Sequence, residues 1–151
     1  LNLWEIQPFI VGLLKASAKL SDAVVLADDG TYPKTPEREK ALREPGLCLI
    51  VWQIESGGLH DHTSSGPASH DVYVPVVIEE NVTANRSDNG TKITAEKALQ
   101  YVFEICVGQP KPSLPNRSLV PMDPPFKNFG TVNGIQRIVA NLSIRASIIP
   151  A

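Results

Sequence analysis

The end of the chain constrains the fold most. Ile138, Ala140, Leu142, Ile144, Ala146 and Ile148 alternate with Arg137, Asn141, Ser143, Arg145 and Ser147. A period of two is the mark of a β-strand with one dry and one wet face. Residues 137–149 would extend about 43 Å at ~3.3 Å per residue. A second run, SHDVYVPVVIEENVT, sets Val72, Val74, Val76 and Ile78 on one face, and residues 69–83 would reach about 50 Å before any bend. A globule of this length has a radius of gyration near 15 Å, hence a diameter of about 38 Å. Either these strands bend within a self-sufficient monomer, or a hairpin around residues 56–71 projects beyond the core. A projecting ribbon exposes backbone groups that a partner would cover, which favours a chain completed by its neighbours.

The remaining elements read in order. Asn2 and Glu5 can open a helix whose apolar face carries Leu3, Ile6, Phe9, Ile10, Leu13 and Leu14, with Pro8 near its first turn. A short strand, Ala23–Ala27, ends in Asp28-Asp29-Gly30. Thr35 and Pro36 then start a compact helix with early acids and a late Arg43 before Pro45-Gly46. The nearly unbroken apolar run LCLIVWQIE, Leu47 to Glu55, predicts a central strand covered on both faces. Pro75 suggests an edge position or a bulge for the strand that follows. Thr94 caps a helix over AEKALQYVFEICVG, with Leu99, Val102, Phe103 and Cys106 on one face and a stop at Gly108. Residues 109–125 hold six prolines, too many for a regular element, and predict an extended arm. Asn133-Gly134 is a hairpin signal before the closing strand. The expectation is a single α+β domain over residues 1–151: a mainly antiparallel sheet, two or three helices packed on it, an extended hairpin, and the arm at 109–125.

Several function classes find no support. With 42% hydrophobic and 20% charged residues the chain can bury a core without metal or disulfide staples. A formal net charge of −2 with scattered bases offers no footprint for nucleic acid or an anionic membrane. No apolar run approaches the roughly 20 residues of a bilayer span. The opening LNLWEIQPFIVGLLK lacks the basic lead and cleavage site of a secretory signal, so the chain reads as soluble. Cys48 and Cys106 sit in apolar patterns and read as structural, and Trp4 and Trp52 as core.

All three histidines fall in GLHDHTSSGPASHDV. His60 and His62 form an H-x-H pair that could aim two imidazoles at one face, and His70-Asp71 could complete a metal site. Their neighbours Gly57, Gly58, Thr63, Ser64, Ser65, Gly66 and Pro67 are loop residues that hold no ligand rigidly. The segment therefore reads as a polar hairpin tip, with no metal site and no cofactor. No nucleophile elbow, phosphate loop, dinucleotide fingerprint or H-E-x-x-H motif occurs. The pairs Asp28-Asp29 and Glu79-Glu80 read as solvated ends, and no catalytic residue is assigned. N-x-S/T sites at Asn81, Asn85, Asn89, Asn116 and Asn141 keep a secreted or surface binding module as an alternative. A small metal-dependent enzyme is the other.

The order of these elements resembles the tail terminator, or tail-completion, proteins of long-tailed bacteriophages. The resemblance rests on the amphipathic first helix, "LCLIVWQIE", a loop, "HDVYVPVVIEE", "TAEKALQYVFEI" and "IQRIVANLSIRASII". It implies a non-enzymatic virion protein: a ring, usually a hexamer of identical subunits, made in the bacterial host cytoplasm. Such a ring caps the tail tube and joins it to the neck or connector. It further implies contacts with subunits or tube through the histidine hairpin (Leu59, His60, Asp61, His62 and Thr63) and the arm region (Pro121, Phe126 and Phe129). Mild acidity suits a channel through which DNA slides without sticking.

Overall fold

The computed structural model describes residues 5–30, 35–59, 69–111 and 114–147. The elements are α1 (Ile6–Ala16), β1 (Val24–Ala27), α2 (Pro36–Arg43), β2 (Leu47–Val51), β3 (Glu55–Leu59), β4 (Ser69–Asn81), α3 (Val82–Asn85), α4 (Ala95–Cys106), β5 (Pro110–Lys111), β6 (Leu114–Ser118), β7 (Val120–Val132) and β8 (Ile135–Ser147). Among the described residues, six strands form one sheet in the order β1-β2-β4-β8-β7, with β3 pairing the other stretch of β4; β5 and β6 pair separately. β1 and β2 run parallel and every other pairing is antiparallel. The fold is α+β with a mainly antiparallel sheet.

Helices lie on both faces. The larger core joins Ile6, Ile10 and Leu14 of α1 and Ala98, Val102 and Cys106 of α4 to Leu49, Val76, Ile78, Ile138 and Leu142 of the sheet. The smaller core sets Ala41 and Leu42 of α2 on Cys48, Ile50 and Val77. All five residues of β2 are buried, as a continuous apolar strand between two helical layers requires. The strand is shorter than its apolar run, however, because the chain leaves the ladder after Val51 and re-pairs only at Glu55.

Local sequence explains the helix ends. The Thr94 hydroxyl accepts Lys97 N–H at 3.2 Å, and Gly108, at φ +84°, turns the chain so that its N–H reaches Leu119 O at 2.9 Å. Thr35 precedes α2 without a side-chain cap; its carbonyl instead accepts Arg38 and Glu39 N–H at 3.1 and 3.3 Å. The proposed capping residue of α1, Asn2, lies outside the described residues with Leu3 and Trp4.

Three expectations need correction. Pro75 is not on an edge: β4 has β2 and β3 along one side and β8 along the other. Its carbonyl accepts Trp52 N–H at 2.8 Å in the break between β2 and β3. In an antiparallel ladder a residue's N–H and C=O face the same side, so the missing donor falls in that break and little pairing is lost. The strand also ends at Asn81, whose side chain caps the unforeseen α3 by accepting Ala84 N–H at 3.3 Å. Finally, the proline-rich segment takes regular form. Pro110–Lys111 pairs with Leu114–Ser118, and Pro121, Pro124 and Pro125 lie in β7, the last strand of the sheet. An edge strand tolerates proline because one row of its donors has no partner strand. The ladder breaks between Pro121 and Phe126.

Candidate assembly interface

β4, β7 and β8 are each thirteen residues long. β4 and β8 pair without a break from Ser69↔Ser147 to Asn81↔Ile135. β7 continues the sheet on the far side of β8, but among the described residues no helix covers it: every residue from Phe126 to Val132 is exposed. Phe126 is 46% exposed, Phe129 51% and Val132 68%. Phe126 pairs with Ala140 of the larger core, so it stands on the α1/α4 face. Phe129 and Val132 line a hollow with Arg38 of α2, so they stand on the opposite face. The ribbon is thus apolar on both sides.

The expected contact residues divide accordingly. Pro121, Phe126 and Phe129 lie on this exposed strand. Leu59 ends β3, paired with His70. His60, Asp61, His62 and Thr63 lie outside the described residues, as does most of the expected projecting hairpin.

Beneath Phe129 the sheet holds a charged cluster that sequence reasoning missed. Glu79 is 2% exposed and accepts two bonds from the Arg38 guanidinium, Nε–H to Oε1 and Nη2–H to Oε2, each 2.7 Å. Arg137 of β8 approaches the same carboxylate at 3.8 Å. This fork is the strong form of a carboxylate–arginine pair, and it raises the pKa of Arg38 chiefly through the hydrogen bond to Glu79. A hollow of about 390 Å³ beside it is lined by Arg38, Glu79, Phe129, Val132, Ile135 and Arg137.

Glu80 points to the other face and is fully buried. It accepts Asn85 Nδ2–H at 2.6 Å and the backbone N–H of Ala95 at 3.1 Å, with Arg86 at 3.4 Å. Asn85 also donates to Ile93 O at 2.7 Å and accepts Thr91 N–H at 3.1 Å. Glu80 thereby ties the start of α4 to the sheet. Adjacent residues of a strand do point apart, as expected, but both acids are interior and neither is a solvated end. The signal that could have found them is Arg38, an arginine on the sheet-facing side of α2, together with the tight turn around Gly90. The same network explains one glycosylation motif: Asn85 is buried with its amide engaged, so the side chain serves the turn.

At the other edge of the sheet, the end of β1 meets the start of α2. Leu26, Ala27, Ile50, Thr35, Asp28, Asp29 and Glu37 line a cleft of about 190 Å³. Asp28 Oδ1 accepts Gly30 N–H at 2.9 Å, and Gln7 Nε2 donates to the carbonyls of Asp28 and Val51 at 3.0 and 2.9 Å.

Cys48 and Cys106 are free and buried, and burial pushes each thiol up to about 12, which keeps them protonated and poor nucleophiles. Among the described residues no group of three or more His, Cys, Asp and Glu side chains could hold a metal, and no helix is long and apolar enough to cross a membrane.

The fold has a counterpart among solved structures. A chain in the virion of a native gene transfer agent particle matches with a TM-score of 0.59 and 16% identity, over 94% of each chain. At that identity the match establishes a shared fold. No protein-family model matches the sequence, and no curated protein matches it.

Proposed function

We propose that this protein is a non-enzymatic structural component of a phage-like virion. In this reading it forms a ring of identical subunits, six in number, at the head-proximal end of a tail. There it caps the tail tube and joins it to the neck or connector. The observation that carries the reading is the fold shared, end to end, with a chain of a virion particle. The uncovered β7 ribbon supports it, because a strand apolar on both faces and open along one edge is stabilised when another chain packs against it. Pro121, Phe126 and Phe129 are the described contact residues of this reading, and the 59–63 turn is its second contact.

The buried polar groups fit a structural role. Glu79 and Glu80 are locked into fixed hydrogen bonds, and both thiols are held protonated. These groups set the angles between sheet and helices and hold the ribbon in place.

Light scattering coupled to size exclusion tests the proposal. A ring gives a mass several times the 16.4 kDa of one chain, and the purified particle caps isolated tail tubes in electron micrographs. A single-chain mass at every concentration, with no association with tubes, would overturn it.

A further inference from the structure

The exposed ribbon and the acidic cleft occupy opposite edges of one sheet, and their positions correspond. Ala27, Val51, Val76, Ala140 and Phe126 form one continuous row of paired residues from β1 across to β7. The cleft opens next to Ala27 at one end of this row. Lys127 follows Phe126 at the other end and pairs with Val139, which packs on the α2-side core. Its ammonium lies 4.9 Å from the centre of the Phe129 ring. Cleft and cation–aromatic pair therefore share the α2 face and the same level along the strands. Their charges are opposite: Lys127 and Arg137 on the ribbon side, Asp28, Asp29 and Glu37 on the cleft side.

We infer that a second copy of this chain covers the ribbon, head to tail, with Lys127 and Phe129 of one copy seated in the acidic cleft beside Asp29 and Glu37 of the next. This inference rests on the ring reading above and names its contact. A contact between two different edges of a subunit is heterologous, and heterologous contacts form a ring when the rotation between copies closes, whereas a ribbon-to-ribbon contact is self-complementary and stops at two. Leu26 and Ile50 within the cleft supply apolar surface for the aromatic ring and the lysine stem. The carboxylates supply the counter-charge for the ammonium, which keeps its attraction to the ring. Charge complementarity of this kind also fixes register and rejects wrong partners.

A charge-swap experiment tests the contact. Lys127→Glu and Asp29→Lys are prepared separately from the full chain, and the mass of each is followed by light scattering against concentration. Each variant alone should assemble at least about tenfold more weakly than the wild type, since every interface then opposes like charges. An equimolar mixture should regain wild-type assembly, because alternating subunits pair either two reversed or two native surfaces. Glu37→Lys, on the exposed first turn of α2, provides the same reversal should Asp29→Lys lower the melting temperature. Wild-type assembly by either single variant overturns the contact alone, and so does a mixture that fails to recover. A wild-type protein that never exceeds one chain's mass overturns the ring reading as well.

Discussion

β4 and β7 have the same length and share β8 as a neighbour, yet from Val72 onward β4 is largely buried while β7 is largely exposed. β4 carries Val72, Val74, Val76, Val77 and Ile78 into two cores, and even Glu79 and Glu80 are enclosed. β7 carries Phe126, Phe129 and Val132 to solvent on both faces. Hydrophobicity alone does not separate them, because each presents apolar side chains. What differs is cover: α2 and α4 reach β4, while neither encloses β7. An interior strand is held by its own chain, whereas an apolar edge strand leaves surface that a second chain can cover.

The largest expected effect comes from breaking the interior side of this comparison. Arg38→Met leaves the Glu79 carboxylate buried without its fork, and Arg137, at 3.8 Å, does not replace those two short bonds. Removing one partner of such a pair costs about 3–5 kcal/mol. Urea unfolding monitored by the fluorescence of the two tryptophans, Trp4 and Trp52, should show a correspondingly lower midpoint with an unchanged slope. A loss below about 1 kcal/mol would mean that Glu79 is not held mainly by Arg38. A Gly90→Ala substitution attacks the Glu80 side. Its Cβ would lie 1.8 Å from the carbonyl oxygen of Asn85, so the turn that holds Asn85 against Glu80 must shift. Overpacking of this kind costs about 1–3 kcal/mol, and hydrogen exchange should report loosening at the start of α4 before the rest of the sheet.

The exposed side should respond in the opposite way. Phe126→Ser on β7 removes an aromatic ring that no helix covers, so the stability of the single chain should change by no more than about 0.5 kcal/mol. Assembly should weaken far more than folding, measured by light scattering on the same sample. A large loss of single-chain stability with intact assembly would show that Phe126 belongs to the core.

These contrasts explain what could be read from the sequence. The alternation of Val72 to Ile78 and of Ile138 to Ile144 is a local pattern, and it placed the two long strands and their dry face. The periodic helices were legible for the same reason, as were the buried thiols. Glu79 and Glu80 were not, because their partners come from elsewhere: Arg38 is 41 residues away and Ala95 is 15. A pair of acids at a strand end looks solvated until the packing helices are known. The regular pairing at 110–132 was hidden for a different reason. Proline opposes regular structure only where its N–H is needed, and β7 lies where one row of donors is unpaired. Of the proposed contact residues, Pro121, Phe126 and Phe129 share that strand, but the cleft beside Asp29 gave no sign, since it exists only where β1 and α2 meet.

The boundary between the covered and uncovered regions can be located by pH. Gln136 of β8 pairs with Glu80 of β4 on one side and with Thr131 of β7 on the other. Its amide donates to Glu96 of α4 at 2.7 Å, so it marks how far α4 extends over the sheet. That hydrogen bond is the main cause that lowers the Glu96 pKa from its ordinary value of 4.5. A carboxyl with a depressed folded-state pKa contributes stability above its unfolded value, and the contribution is lost as pH falls through the folded value. Glu96 is exposed, so solvent screening keeps this the smallest effect considered. The wild type should therefore be slightly more stable than Glu96→Gln at pH 7, with the difference shrinking as pH falls below about 4.5. Subtracting the two unfolding curves cancels whatever the two proteins have in common. A difference that stayed constant with pH would show that the Gln136 hydrogen bond does not hold the Glu96 carboxyl below its ordinary value.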